Sequence, residues 1–159
     1  MQPNLFTSAS LATQFILAGK ATVTLRSKKS GQHFTFRVSK PRDEDEHGNK
    51  KPDNGFRFVS LLNGPDNSVS YAYFGYLKPS QAGVMFVHGG AKAKVAVGAP
   101  GAAAFAWAWQ RMAQGQLPEA LEVWHEGKCG RCGRKLTHPE SLESGFGPEC
   151  IQKFECMAA

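Results

Sequence analysis

The sequence has 159 residues, of which 42% are hydrophobic and 11% aromatic, and it carries a formal charge of +6. This much apolar material suffices for one core, so general disorder is excluded. No apolar run approaches the roughly 18 to 20 residues that a membrane span requires, and the first residues lack the basic and apolar regions of a secretory signal. We therefore expect a cytoplasmic protein.

Positive charge is concentrated in the first part of the chain. Residues 1–118 contain 14 Lys/Arg and 6 Asp/Glu, a balance of +8, whereas residues 119–159 contain 5 and 7, a balance of −2. A basic surface attracts polyanions through phosphate contacts and counterion release. Nucleic acid is therefore the partner that the charge favours.

The N-terminal half has the pattern of antiparallel strands. Residues 1–18 show no strong periodicity and are predicted to form a flexible N-terminal segment, but from residue 20 onward short apolar runs alternate with turn residues. The alternation is clearest at Phe34, Phe36 and Val38, which are separated by polar residues. We expect strands at residues 21–26, 33–39, 56–62, 69–77 and 84–88, and a further short strand at Val95 and Val97.

An alanine-rich segment after these strands predicts a helix at residues 102–115, which Gly115 ends. Phe105, Trp109 and Met112 follow one another at spacings of four and three, so they share one helix face. We expect this face to cover the sheet.

Two further segments complete the predicted architecture. Trp107 lies off the apolar helix face and is expected either to contact the C-terminal module or to be exposed. Residues 117–124 predict a second short helix or a strand. The expected fold is α+β: an antiparallel sheet of about four to six strands with one covering helix, together forming a β-rich domain at 19–118, followed by a treble-clef-like zinc-binding module at 119–159.

All four cysteines lie between residues 129 and 156, which in a cytoplasmic chain favours metal ligands or free thiols over disulfides. Cys129 and Cys132 form a Cys-x2-Cys pair, which lets two thiolates bind one tetrahedral ion from a tight turn. Cys150 follows Pro148, a residue suited to the first turn of a helix, and a helix dipole there favours a third thiolate. We expect one structural zinc ion.

The same residues carry a resemblance. The run Cys129-Gly-Arg-Cys132-Gly-Arg-Lys-Leu-Thr-His-Pro-Glu-Ser, followed by Gly145-Phe-Gly-Pro-Glu-Cys150, resembles a family of short treble-clef zinc domains in uncharacterised phage, plasmid and bacterial proteins. The resemblance covers residues 129–150 only. It implies a knuckle, a hairpin and a short helix around zinc, and it implies no reaction.

The fourth zinc ligand stays open. Treble clefs take two ligands from the first turn of their helix, but three residues after Cys150 stands Lys153, which cannot serve. His125 precedes the knuckle and ranks first, His138 second and Cys156 third, since at 100° per residue Cys156 points away from Cys150 on a helix. A position held by water is a further alternative.

Basic and aromatic residues interleave in the predicted strands, which is typical either of a base-stacking platform or of a core. Because Phe34 and Phe36 share a face, as do Phe56 and Phe58, the phenylalanines are predicted to fill the core. The tyrosines of the fourth strand tolerate water and are better suited to a surface role; they are Tyr71, Tyr73 and Tyr76. The candidates for phosphate contacts are Lys28, Lys29, Arg37, Arg57, Lys92 and Lys94.

No catalytic constellation is present in the sequence. It contains neither a phosphate-binding GxxxxGK[ST] motif nor HExxH, and its five histidines are scattered. We predict a non-enzymatic accessory protein of a mobile genetic element that binds nucleic acid through its basic N-terminal domain. The alternative is a protein-interaction module or inhibitor that docks onto a host or viral protein through its aromatic surface, without binding nucleic acid.

Overall fold

A computed structural model describes residues 4–41, 46–50, 54–62, 70–81 and 83–126. Within them, six strands form one antiparallel sheet in the order β5-β4-β3-β2-β1-β6, so the predicted α+β class is confirmed. The first five strands follow one another along the chain and across the sheet. The strands are β1 (Lys20–Ser27), β2 (His33–Ser39), β3 (Arg57–Leu62), β4 (Tyr71–Ser80), β5 (Gly83–His88) and β6 (Leu121–His125).

In the part of the chain that the structure describes, two helices, rather than the one that was predicted, cover one face of this sheet. They are α1 (Ala9–Ile16) and α2 (Pro100–Ala113), and they contact each other as well as β1 and β5. Neither helix is long and apolar enough to cross a membrane, as judged over the described residues.

Helix α1 lies where the sequence predicted a flexible segment. Ser8 caps it, because the Ser8 side-chain oxygen accepts a hydrogen bond from the Leu11 amide at 3.1 Å. The helix buries Phe15 and Ile16 together with two alanines. Because the helix has only eight residues, about two turns, its apolar positions repeat too few times for periodicity to reveal it.

Helix α2 closes the core through an aromatic cluster. The Phe105 ring lies 5.0 Å from the Phe36 ring and 5.2 Å from the Phe86 ring, centroid to centroid, and Trp109 stacks beside it. The Trp109 indole donates a hydrogen bond to the Val84 carbonyl at 3.0 Å. The predicted apolar helix face is thus confirmed, since Phe105, Trp109 and Met112 are all buried. Trp107 is 41% exposed, one of its two predicted outcomes.

Strand β6 joins the segment before the cysteines to the sheet. It pairs with β1 from Val23↔His125 to Ser27↔Leu121. Its other side is covered by the N-terminal residues: the Phe6 amide donates to the Val123 carbonyl at 2.9 Å, and the His125 amide donates to the Asn4 carbonyl at 3.0 Å. The sheet therefore continues past residue 118, where the sequence placed a domain boundary.

The connection between β5 and α2 contains no strand at Val95 and Val97, so that prediction is wrong. Val97 is 70% exposed, and the segment instead has a 3-10 turn at Gly90–Lys92. The His88 ring holds it: Nε2 lies 2.8 Å from the Val95 carbonyl oxygen, and Nδ1 accepts from the Gly90 amide at 3.1 Å. Ala93 and Val95 pack against the core, and these hydrogen bonds hold the segment in a non-strand conformation.

Removing the Phe105 ring should test the central packing. We expect Phe105→Ala to lower the free energy of unfolding by about 3–5 kcal/mol, the range for deleting a buried phenylalanine. Urea denaturation measures it. The matched control is Trp107→Ala on the same helix, for which exposure predicts a loss within about 1 kcal/mol; equal losses would contradict the assignment.

Candidate nucleic-acid interface

The face of the sheet opposite the helices, called the outer face here, is open and aromatic. Alternation along β2 places Arg37 and Ser39 on it, between the buried Phe36 and Val38. Further side chains of the outer face come from the neighbouring strands. They are Phe58, Ser60, Tyr71, Tyr73 and Tyr76.

A β-bulge in β4 brings two of the tyrosines to the same face. Val59 pairs with Gly75, but the next residue, Ser60, pairs with Tyr73, so Phe74 is an extra residue in the ladder. Phe74 and Gly75 are both buried. Tyr73 and Tyr76, three positions apart, consequently lie on the same side of the sheet, which strict alternation would not allow.

These side chains form an open cleft of about 800 Å³, called the aromatic cleft here. The Phe56 and Tyr76 rings stack at a centroid distance of 5.8 Å and an interplanar angle of 15°. The Phe58 and Tyr73 rings meet edge to face at 5.9 Å and 86°. Phe58 is 40% exposed. The cleft is lined by Ser39, Phe56, Phe58, Ser60, Tyr73, Tyr76, Gly89 and Lys92.

The core prediction for the phenylalanines is correct for the second strand and wrong for the third. Phe36 is buried and Phe34 packs against the core. In β3, however, Val59 and Leu61 face the core, which turns Phe58 outward, and Phe56 lines the same cleft. Val59 and Leu61 alternate with Phe56 and Phe58, and because both sets are apolar the sequence does not say which of them faces the core.

Arg57 lies among the core-facing residues of β3 and is only 7% exposed. Its Nε donates to the Leu17 carbonyl and its Nη1 to the Phe56 carbonyl, each at 2.8 Å. Leu17 is the C-cap of α1, and a guanidinium suits the free carbonyls of a helix end. The prediction that Arg57 contacts phosphate is therefore wrong, because its guanidinium is buried on the core side of the sheet.

Three of the other predicted cations lie at or beside the cleft. Lys92 lines it, and the Lys94 amide donates to the Tyr73 carbonyl at 2.7 Å, which holds the exposed Lys94 next to this tyrosine. The Arg37 guanidinium lies 4.1 Å from the centroid of the Tyr71 ring, a cation–π contact. Arg37 is also the cross-strand partner of Ser60, a lining residue.

Lys28 and Lys29 lie elsewhere. Both are exposed on the turn between β1 and β2, at the end of the sheet where His33 begins β2. Ser39, the β2 residue that lines the cleft, lies six strand positions further along, about 20 Å away at 3.3 Å per residue. These two lysines do not belong to the cleft.

The strands that line the cleft carry no acidic side chain. Strands β1 to β5 contain no Asp or Glu, because the six acidic residues of the first 118 stand at positions 43–46, 53 and 66, outside these strands. Burial raises the pKa of Tyr71, with Arg37 opposing and Glu126 reinforcing the shift, and burial also raises the pKa of Tyr73, with Tyr76 reinforcing it. Both phenols are therefore neutral at pH 7 and add no negative charge.

Of the candidate metal ligands, only His125 lies within the described residues. Cys129, Cys132 and Cys150 lie outside the described residues, as do His138 and Cys156. His125 is described: it ends β6, is 4% exposed, and its ring lies 5.3 Å from Phe6 and 5.5 Å from Phe15, centroid to centroid. Among the described residues, no three His, Cys, Asp or Glu side chains form a metal-binding group.

Arg57→Ala tests the structural role of that guanidinium. We expect the free energy of unfolding to fall by about 1.5–3 kcal/mol, because hydrogen bonds from a charged group to buried carbonyls are lost. Thermal and urea unfolding report this change. Lys92→Ala, at an exposed position, serves as the control and should stay within about 0.5 kcal/mol of the wild type; an equally small effect of Arg57→Ala would refute the role.

One family model matches the chain. It is described as a family of unknown function (DUF6011) and covers residues 120–155, a stretch that begins one residue before β6 and includes Cys129, Cys132 and Cys150. No curated protein and no solved structure matches the chain. The description assigns no metal and no activity to the matched residues.

Proposed function

We propose that this protein binds nucleic acid through the outer face of its sheet, and that a zinc ion stabilises its C-terminal module. The observation that carries the first part is the juxtaposition of aromatic rings, on strands without acidic residues, with Lys92 and Lys94 of the following connection and with Arg37 of β2. Nucleic acid combines phosphates, which bind cations, with bases, which bind aromatic rings.

The charge is suited to phosphate contact. Exposed lysine ammonium groups bind phosphates as point charges. Each phosphate that these groups neutralise releases condensed counterions, so the affinity must fall as salt rises.

Salt dependence tests this proposal. We expect the protein to bind short nucleic acids of about 8 nucleotides, with affinity falling linearly on logarithmic axes as salt increases. The double variant Lys92→Ala/Lys94→Ala should flatten the slope by about one per lysine. Fluorescence anisotropy of labelled DNA and RNA measures the slope.

The matched control changes two equally exposed lysines away from the cleft. Lys28→Ala/Lys29→Ala should leave the slope for such short strands close to that of the wild type. If neither DNA nor RNA, single or double stranded, binds at about 50 mM salt, the proposal is refuted. A protein partner that remains bound after nuclease treatment would then support the rival, a protein-interaction module.

The zinc proposal rests on the cysteine pattern. Cys129, Cys132 and Cys150 would supply three thiolates, and zinc bound to them would contribute directly to folding of the module. The fourth ligand is still open. The packing of His125 between two phenylalanine rings on the core side gives this histidine a structural role in β6, which raises the rank of His138 and Cys156.

Metal content tests the zinc site. We expect native mass spectrometry to find about one zinc ion per chain, and Cys132→Ser to lose the ion and to lower the melting temperature. His125→Gln separates the two roles of that histidine: lowered stability with zinc retained indicates a core residue, whereas loss of zinc indicates a ligand. A metal-free wild type whose melting is unchanged by a chelator would exclude the site.

A further inference from the structure

We infer that the aromatic cleft binds unpaired nucleotides, with a base stacking on Phe58 beside Tyr73 while Lys92 and Lys94 contact the phosphates. This inference rests on the proposed function and names its substrate class, a single strand. It requires a ring face that a base can reach, a sheet geometry that a duplex does not fit, and positive charge at the edge of the aromatic cleft.

The first requirement is met by the ring geometry. In the edge-to-face pair of Phe58 and Tyr73, one ring presents its edge to one face of the other, so the pair itself covers a single ring face. Phe58 remains 40% exposed, although burying an apolar ring is favourable. A base has a π-face of the kind that stacks on such a ring, whatever its sequence.

The second requirement follows from the width of the sheet. The cleft spans β2, β3 and β4 inside a six-stranded sheet. At about 4.8 Å between strands, the sheet is about 24 Å wide, whereas the major groove of a DNA duplex is about 12 Å wide. The outer face cannot enter that groove, and in a duplex the base faces are already covered by their neighbours.

Two serine hydroxyl groups and the backbone of Gly89 complete the lining of the cleft. The hydroxyl groups of Ser39 and Ser60 lie among the rings and can hydrogen-bond to base edges or sugars. One wall is the Gly89 backbone, where a Cβ atom would lie 3.0 Å from the Tyr73 ring. Glycine at this position therefore lets the turn that carries Lys92 pack directly against Tyr73.

The test compares strands of equal length that differ in base content, sugar or pairing. Fluorescence anisotropy at about 50 mM salt would measure binding of labelled oligothymidylate, oligouridylate, a matched DNA duplex and an abasic strand with the same phosphates, each about 12 units long. We expect the base-bearing single strands to bind at least about 10-fold more tightly than the duplex and the abasic strand. The comparison of oligothymidylate with oligouridylate shows whether the protein prefers DNA or RNA.

Variants of the exposed ring complete the design. Phe58→Ala should weaken single-strand binding by roughly 5- to 150-fold, the range for loss of one stacking platform, and leave abasic-strand binding unchanged. Phe58→Trp keeps an aromatic face and should restore binding, whereas Phe58→Leu keeps apolar bulk without a π-face and should not. Met85→Ala, at an exposed apolar residue of β5 outside the cleft, is the control.

The outcomes distinguish this inference from the proposed function. If the abasic strand or the duplex binds as tightly as oligothymidylate, or if Phe58→Ala binds like the wild type, stacking is refuted while phosphate-driven binding stands. If no strand of any kind binds, both fail. Circular dichroism of each variant confirms that the sheet is intact.

Discussion

The packing of α2 on one face of the sheet is the constraint on which the rest of the structure depends. Phe105 lies among rings from β2, β4 and β5, and Trp109 ties the helix to the β5 backbone. Because both helices cover this face, alternate residues of each strand must point to the opposite, outer face. The outer face, with its rings and hydroxyl groups, is therefore formed by the residues that alternate with the core-facing ones.

Two local features then shape the outer face. The bulge at Phe74 shifts the alternation of β4, so that Tyr73 and Tyr76 join Phe56 and Phe58 on one side. The His88 ring fixes the following turn through bonds on both of its nitrogens, which positions Lys92 at the cleft. The bulge and the fixed turn together hold the aromatic and basic residues of the outer face in place.

The sequence predicted the sheet well, because turn residues and period-2 alternation are local signals. It located all five strands of the meander and the apolar face of α2. It missed α1, whose buried face is half alanine, and it assigned Phe58 to the core, because hydrophobicity alone does not say which face of a strand is closed. The burial of Arg57 could not be predicted, since its acceptor at Leu17 is distant in sequence.

Strand β6 has a mechanical consequence. It is hydrogen-bonded on both sides, to β1 and to the residues around Leu5, and it ends at His125, directly before the cysteine-bearing part of the chain. A force applied to that part along the strand would load the β1 ladder and the bridge at Leu5 in shear, so that their hydrogen bonds resist together rather than one by one. The domain should therefore resist unfolding by a force that is applied through its C-terminal residues.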